Sequence, residues 1–290
     1  MKLFASERTL YVDNFSNILG SPTSEDKLLS FAKKYNFTTL ILYELNKVDK
    51  RITLSDPRKN NVLAEFISKA KNKYYISKIG ASGECASFFT NTINVYNKSR
   101  EKNEEKFDIY NLEYEYWSKK ASGIEGYYCV NYLEGNSIPC NREGSFDFFV
   151  ENLKELKEIS LDNKNPIQIE AYVGYFTQNE INKITQYCDR LLIHAFGKNP
   201  RVSYEIAKNN LENLLKITSK IKTSIMLSSQ MDHLGYWFKF NHLDRAEELF
   251  FKEMNIVNSQ MEKKLNLDGF SYHSYSDLEK SVNYYSYTRN

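Results

Sequence analysis

The sequence predicts an α/β fold, a single (β/α)8 TIM barrel. Three observations predict it. Short apolar, β-rich runs alternate with segments of helical period through the whole chain, the rhythm of βα units around a parallel sheet. The length of 290 residues suits one barrel of about 250 residues plus insertions. No glycine-rich phosphate loop follows the first run, which counts against the open doubly wound sheet. No linker or internal repeat divides the chain, so residues 1–290 read as one domain.

The elements follow in order. TLYVDNF (Thr9 to Phe15) is the first strand. Ser24 offers an N-cap for the helix EDKLLSFAKKY, whose Leu28, Leu29, Phe31 and Ala32 have helical spacing. TTLILYEL (Thr38 to Leu45) is a second strand, nearly all apolar as a buried parallel strand should be. NVLAEFISKAKNK is the second helix, YYISKIGASG (Tyr74 to Gly83) the third strand, and ECASFFTNTINVYNK the third helix. FDIYNLEYEYW (Phe107 to Trp117) is the fourth strand. Residues 118–144 carry Gly, Asn and one Pro without a clear helical period. That is too long for an ordinary βα loop, so the segment reads as an insertion over a functional face.

SFDFFVENLKELKEISL is the fourth helix, PIQIEAYVGYF (Pro166 to Phe176) the fifth strand and TQNEINKITQYC the fifth helix. RLLIHAFG (Arg190 to Gly197) and VSYEIAKNNLENLLKITSK form the sixth pair. KTSIMLSSQ (Lys222 to Gln230) and RAEELFFKEMNIVNSQMEKKL form the seventh. LDGFSYHSY (Leu267 to Tyr275) is the eighth strand, with a short closing helix or tail after it.

Bulk properties narrow the function classes. Formal net charge is +2, with 39 basic and 37 acidic residues interspersed, so no electrostatic case exists for a nucleic-acid partner. No run approaches a transmembrane length. The N-terminal MKLFASERTLYVDNF lacks the apolar core of a signal peptide. Cys85, Cys129, Cys140 and Cys188 show no CxxC spacing, so no zinc site is expected. Cys129 and Cys140 share one loop-like segment: a disulfide if the protein is exported, plain thiols if it is cytosolic.

In a barrel the site lies at the carboxyl ends of the strands. Those ends offer Tyr43, Glu170, Tyr172, His194, Gln230, His273 and Tyr275 as candidate binding residues, with His233 just past the seventh. The fourth strand splits by period two. Tyr110, Leu112, Tyr114 and Tyr116 suit the helix side; Asn111, Glu113 and Glu115 then point inward. Two inward carboxylates roughly 6–7 Å apart along the strand repel one another and are desolvated, which raises the pKa of at least one. A carboxyl held protonated near neutral pH is what a general acid needs.

The same stretch resembles the fourth-strand motif DxxDxDxE of family 18 glycoside hydrolases, the chitinase and endo-β-N-acetylglucosaminidase family. Asp108, Asn111, Glu113 and Glu115 align with it without a gap, and SKIGASG is similar to the family's turn after the third strand. The resemblance implies a substrate-assisted retaining glycosidase acting on β-linked N-acetylglucosamine glycans, without cofactor or metal. Glu115 would be the general acid/base and Glu113 the acetamide-orienting carboxylate, with Asp108, Asn111 and Tyr116 supporting. It implies an oligosaccharide partner and, for that reason, favours export. The departures are Glu113 and Asn111 for the family's Asp residues, His194 for a sixth-strand Tyr, and His273 or Tyr275 for an eighth-strand Trp. A second reading is therefore a non-catalytic carbohydrate-binding barrel. A third is a metal-dependent hydrolase using His194, His233 and His273, which no HxH or HExxH spacing supports.

Overall fold

A computed structural model describes residues 7–163, 166–217, 221–259 and 261–287. Eight strands, β1 (Glu7–Val12), β2 (Thr39–Leu42), β3 (Lys78–Gly83), β4 (Ile109–Leu112), β5 (Gln168–Val173), β6 (Arg190–His194), β7 (Lys222–Ser228) and β8 (Asn266–His273), close into a barrel in sequence order. Every pairing is parallel, including the seam where Glu7 to Tyr11 meet Gly269 to His273. The expected single (β/α)8 barrel is the fold. A helix follows each strand: α1 (Pro22–Lys34), α2 (Asn61–Tyr74), α3 (86–99), α4 (Arg142–Leu161), α5 (Gln178–Ile184), α6 (Pro200–Leu214), α7 (Leu243–Val257) and α8 (Tyr275–Tyr287).

Several local expectations are corrected. The N-cap of α1 is Ser21, whose hydroxyl accepts the Ser24 N–H. Pro22 fits at the first helical position, where its missing N–H costs nothing. A short helix, Leu45–Ile52, was not expected; it starts after Glu44 in the left-handed region. The third helix runs through a π-turn at Phe89–Ile93. The expected seventh helix breaks after Val257, where Asn258 turns extended, and resumes as Met261–Lys264. Of the sixth, residues 218–220 lie outside the described residues. The 118–144 insertion is folded rather than irregular: helix Lys119–Ser122, a π-turn at Cys129–Leu133 and a 3-10 turn at Glu134–Asn136. Cys129 and Cys140 are joined by a disulfide.

Two cores hold the barrel. Between sheet and helices, Tyr110, Leu112, Tyr114 and Tyr116 are all fully buried, as period two requires. Inside the barrel, the interior is tiered. Toward the amino ends of the strands, Arg190 pairs with Glu170 (2.9 Å) and Asp268 (3.0 Å). Above them Tyr11, Ile41, Ile109, Tyr172, Leu192 and Met226 form an apolar septum. Gly80 makes room for it: a Cβ there would lie 2.4 Å from Ile41.

Two aspartates finish the strand starts. Asp108 accepts the Ile79 N–H (2.8 Å) and pairs with Lys71. Asp189 does the same for the Ile169 N–H and Lys157. Each supplies an acceptor to a backbone N–H at a ladder's beginning. At the seam, Arg8 of β1 pairs with Glu247 and Asp244 of α7, and Glu247 accepts the Tyr272 hydroxyl of β8.

Candidate active site

Beyond β4 burial keeps alternating until the chain turns at Tyr116 and Trp117. The Glu113 N–H donates to the Gly83 carbonyl (2.9 Å). Tyr114 and Tyr116 continue to pack outward, Tyr114 stacked on Tyr128 at 4.0 Å and Tyr116 against Phe146 and Phe149. Glu113 therefore projects over the septum. Its carboxylate is reached by the Ser82 hydroxyl at 3.5 Å. Burial, and then the charge of Glu115, push the Glu113 carboxyl up to about 8. Burial followed by Glu84 raises Glu115 as well. Two interacting carboxyls of this kind titrate as a pair, and one proton stays with them at neutral pH.

Histidines and aromatic rings complete the mouth. The Tyr172 hydroxyl lies 2.5 Å from His194 Nδ1. Burial brings the His194 pKa down to about 4, so the ring is neutral at pH 7. His233 Nδ1 lies 2.9 Å from the Ser228 hydroxyl. Burial also lowers the His273 pKa. The Phe196 ring lies 4.2 Å from that of His194, 5.5 Å from His233 and 6.0 Å from His273. On the other side Tyr11, Tyr43 and His273 form a triangle of rings 5.5–5.9 Å apart. Trp117 packs edge-on to Tyr172 and lies over Gly174, where a Cβ would come within 2.3 Å of the indole.

The structure thus brings together Glu113, Glu115, Tyr43, Tyr172, His194 and His273. It separates the other candidates. Asp108 is at the opposite end of β4, committed to Lys71 and a backbone N–H. Asn111 lies one inward position below Glu113 and donates to Glu170 (3.4 Å), not to Glu113. Glu170 is held by Arg190 beneath the septum. Tyr116 faces the helices and donates to the Tyr175 carbonyl. Tyr275 begins α8 and packs on Phe31. Gln230 is exposed after β7. Three mouth residues escaped the sequence reading. Tyr11 lies two residues before Asp13 and Phe196 two after His194, so period two carried one step further finds both. Glu84 directly follows the small-residue turn.

Among the described residues, the group of side chains placed to share a metal is Cys129, Glu134 and Cys140, and its two sulfurs are bonded to each other. The mouth histidines form no such group there. No described helix is long and apolar enough to cross a membrane.

No family model matches the sequence, and no curated protein matches it. Solved structures with a similar fold include a 2,3-dimethylmalate lyase, a PEP mutase/isocitrate lyase superfamily member (10% identity, 89% of this chain and 79% of that one, TM-score 0.45). The AHE enzyme from Alicyclobacillus herbarius is similar at 8% identity, over 86% and 76%, with a TM-score of 0.50. A deoxyribose-phosphate aldolase described from Coccidioides immitis is similar at 10% identity, over 98% and 84%, with a TM-score of 0.42. At these identities the likeness concerns the fold alone.

These findings correct the resemblance to family 18. No family model matches the chain, and none of the solved structures named above is described as a glycoside hydrolase. The geometry gives the physical reason: the four aligned motif positions do not assemble, because Asp108 and Asn111 serve the lower barrel. The expected N-acetylglucosaminidase activity, the carbohydrate-binding alternative and the oligosaccharide partner fall with it.

Proposed function

We propose that the chain is an enzyme performing general acid–base chemistry on a small organic molecule at the carboxyl-end mouth of the barrel. The observation that carries this reading is the Glu113 carboxyl, held protonated up to about pH 8 by burial beside Glu115. A neutral carboxylic acid in a desolvated site donates a hydrogen bond where negative charge develops. A substrate carbonyl oxygen set against Glu113 meets that donor. A proton passes to the Glu115 carboxylate from the carbon next to the carbonyl, or from a hydroxyl on the carbon beyond it. In the first case the C–H pair moves to the carbonyl oxygen as an enolate; return of the proton to another atom completes an isomerisation, and expulsion of a group from the carbon beyond, with its bonding pair, completes an elimination. In the second case the O–H pair forms a new carbonyl as the carbon–carbon bond breaks, and that bond's pair moves to the first carbonyl oxygen. The neutral His194, in contact with Tyr172, adds a second hydrogen-bonding group to the same mouth.

The lining also constrains charge. The inward positions of the mouth, Tyr43, Ser82, Glu113, Tyr172, His194, Ser228 and His273, include no Lys or Arg, while Glu84 and Glu115 are acidic. A phosphate or dicarboxylate would meet carboxylates without a cation, which is unfavourable in a desolvated site. The reading therefore favours an uncharged or cationic carbonyl compound, its apolar part against Phe196 and Trp117.

Deuterium wash-in tests this without knowledge of the product. Neutral, cationic and anionic ketones, aldehydes and β-hydroxy ketones are incubated with the protein in D2O and followed by proton NMR. Exchange of a hydrogen next to a neutral or cationic carbonyl is expected, slowed about a hundred- to ten-thousandfold in Glu115→Gln. No exchange with any compound, or equal exchange by the variant, would overturn the proposal.

A further inference from the structure

Glu84 is the first residue after β3. Its Oε2 accepts two hydrogen bonds, from the Tyr127 hydroxyl (2.8 Å) and the Tyr132 hydroxyl (2.6 Å). Both tyrosines belong to the insertion between β4 and α4. Between them, the Tyr128 hydroxyl accepts the Glu115 N–H (3.0 Å). The Cys129–Cys140 disulfide closes the loop that carries Tyr132. Side-chain amides brace it from within: Asn131 donates to the Tyr127 carbonyl and Asn136 to the Tyr132 carbonyl. Tyr127 is 54% exposed, so its bond to Glu84 is not a by-product of core packing. Phenol-to-carboxylate bonds are short, charge-assisted and directional. Three contacts, from Tyr127, Tyr128 and Tyr132, thus fasten the insertion to Glu84 and Glu115, which flank the mouth.

We propose that Glu84 is a positioning residue for Glu115, fixed beside it by the tyrosine clamp of the disulfide-tied insertion. This rests on the reading of Glu115 as the proton acceptor. The groups facing Glu115 are Glu113 two residues before it, Tyr172 from β5, Tyr128 from the insertion and Glu84 from the β3 turn. Of these, Glu84 supplies a carboxylate from a different element, held by donors that do not bond Glu115's own carboxyl. It acts as a fixed negative charge that makes Glu115 a stronger base. The insertion then does more than cover the mouth, because seating it sets the basicity beneath.

The test is a carbon-13 NMR titration of the glutamate side-chain carboxyls, with Glu115 assigned by its loss in Glu115→Gln. In Glu84→Gln the Glu115 midpoint is expected to fall, with the amide spectrum of the barrel strands unchanged. Tyr127→Phe/Tyr132→Phe, which keeps both rings, should move it in the same direction. Cys129→Ser/Cys140→Ser should do so too, and should speed amide exchange across residues 119–136. An unmoved Glu115 midpoint in Glu84→Gln and in the double Phe variant would overturn the proposal. The titration needs no substrate. A wild type without deuterium wash-in but with the shifted midpoint would defeat the acid–base reading and leave the coupling standing; active wild type with an unmoved midpoint would do the reverse.

Discussion

Replacing Glu113 by Gln removes one titration and little volume, and its effect on stability can be worked from the structure. Burial, then Glu115, raise the Glu113 carboxyl from an ordinary 4.5 to about 8. Between those values the folded chain keeps a proton that the unfolded chain has released. Stability is therefore fully present below pH 4.5 and is lost as pH rises toward 8. Each pH unit in that window weakens folding by about 1.4 kcal/mol, or about 3 kcal/mol by pH 7 and about 5 kcal/mol above pH 8. Gln cannot ionise, so Glu113→Gln should gain on wild type by those amounts as pH rises. For 290 residues the unfolding entropy is about 0.6 kcal/mol/K, so 3 kcal/mol raises Tm by about 5 °C at pH 7. Urea unfolding at pH 5, 6, 7, 8 and 9, with m-values unchanged between the two proteins, is the assay. A wild type and variant that differ by a constant from pH 5 to 9 would refute the reasoning, since Glu113 would then ionise as it does in water.

Three further outcomes are expected. Arg190→Met leaves Glu170 and Asp268 without their shared cation and should cost about 3–5 kcal/mol, while Glu170→Met/Arg190→Met should recover only part of it because Asp268 stays unpaired; urea unfolding of both reads this directly. Gly174→Ala places a methyl 2.3 Å from the Trp117 indole, so Trp117 fluorescence should shift while far-UV circular dichroism stays unchanged. In a proton NMR titration His194 should stay neutral to about pH 4; since the unfolded imidazole takes up its proton near pH 6.5, this group adds stability above that value and withdraws it as pH falls toward 4.

The barrel was legible because its signal is redundant. Eight apolar runs separated by helical periods leave few other topologies, and the faces of β4 follow from alternation alone: Tyr110, Leu112, Tyr114 and Tyr116 went outward as read. Strand limits were overread for a physical reason. From Glu113 to Tyr116 burial keeps alternating after the ladder has stopped at Leu112, although the chain turns at Tyr116 and Trp117, so period two does not mark where pairing ends. The motif-like spacing misled for a related reason. Alternation says which side a residue faces but not its height in the barrel. Asp108 precedes the ladder and Asn111 and Glu170 lie below the mouth, where the cation that claims Glu170 is Arg190, 20 residues further on. The clamp on Glu84 joins residues 43 and 48 positions apart, and no local pattern announces a contact of that span.

The closing seam bears on how the chain is made. β1 is the first of the eight strands to be synthesised, yet its second neighbour, β8, is the last of them. Until then the nascent chain carries an open sheet with two unpaired edges, the form of intermediate most prone to pair with another chain. Arg8 meanwhile waits for Glu247, the carboxylate to which Tyr272 of β8 also donates. A charged side chain on the waiting edge discourages a foreign strand from taking β8's place, and becomes an internal tie once the right one arrives.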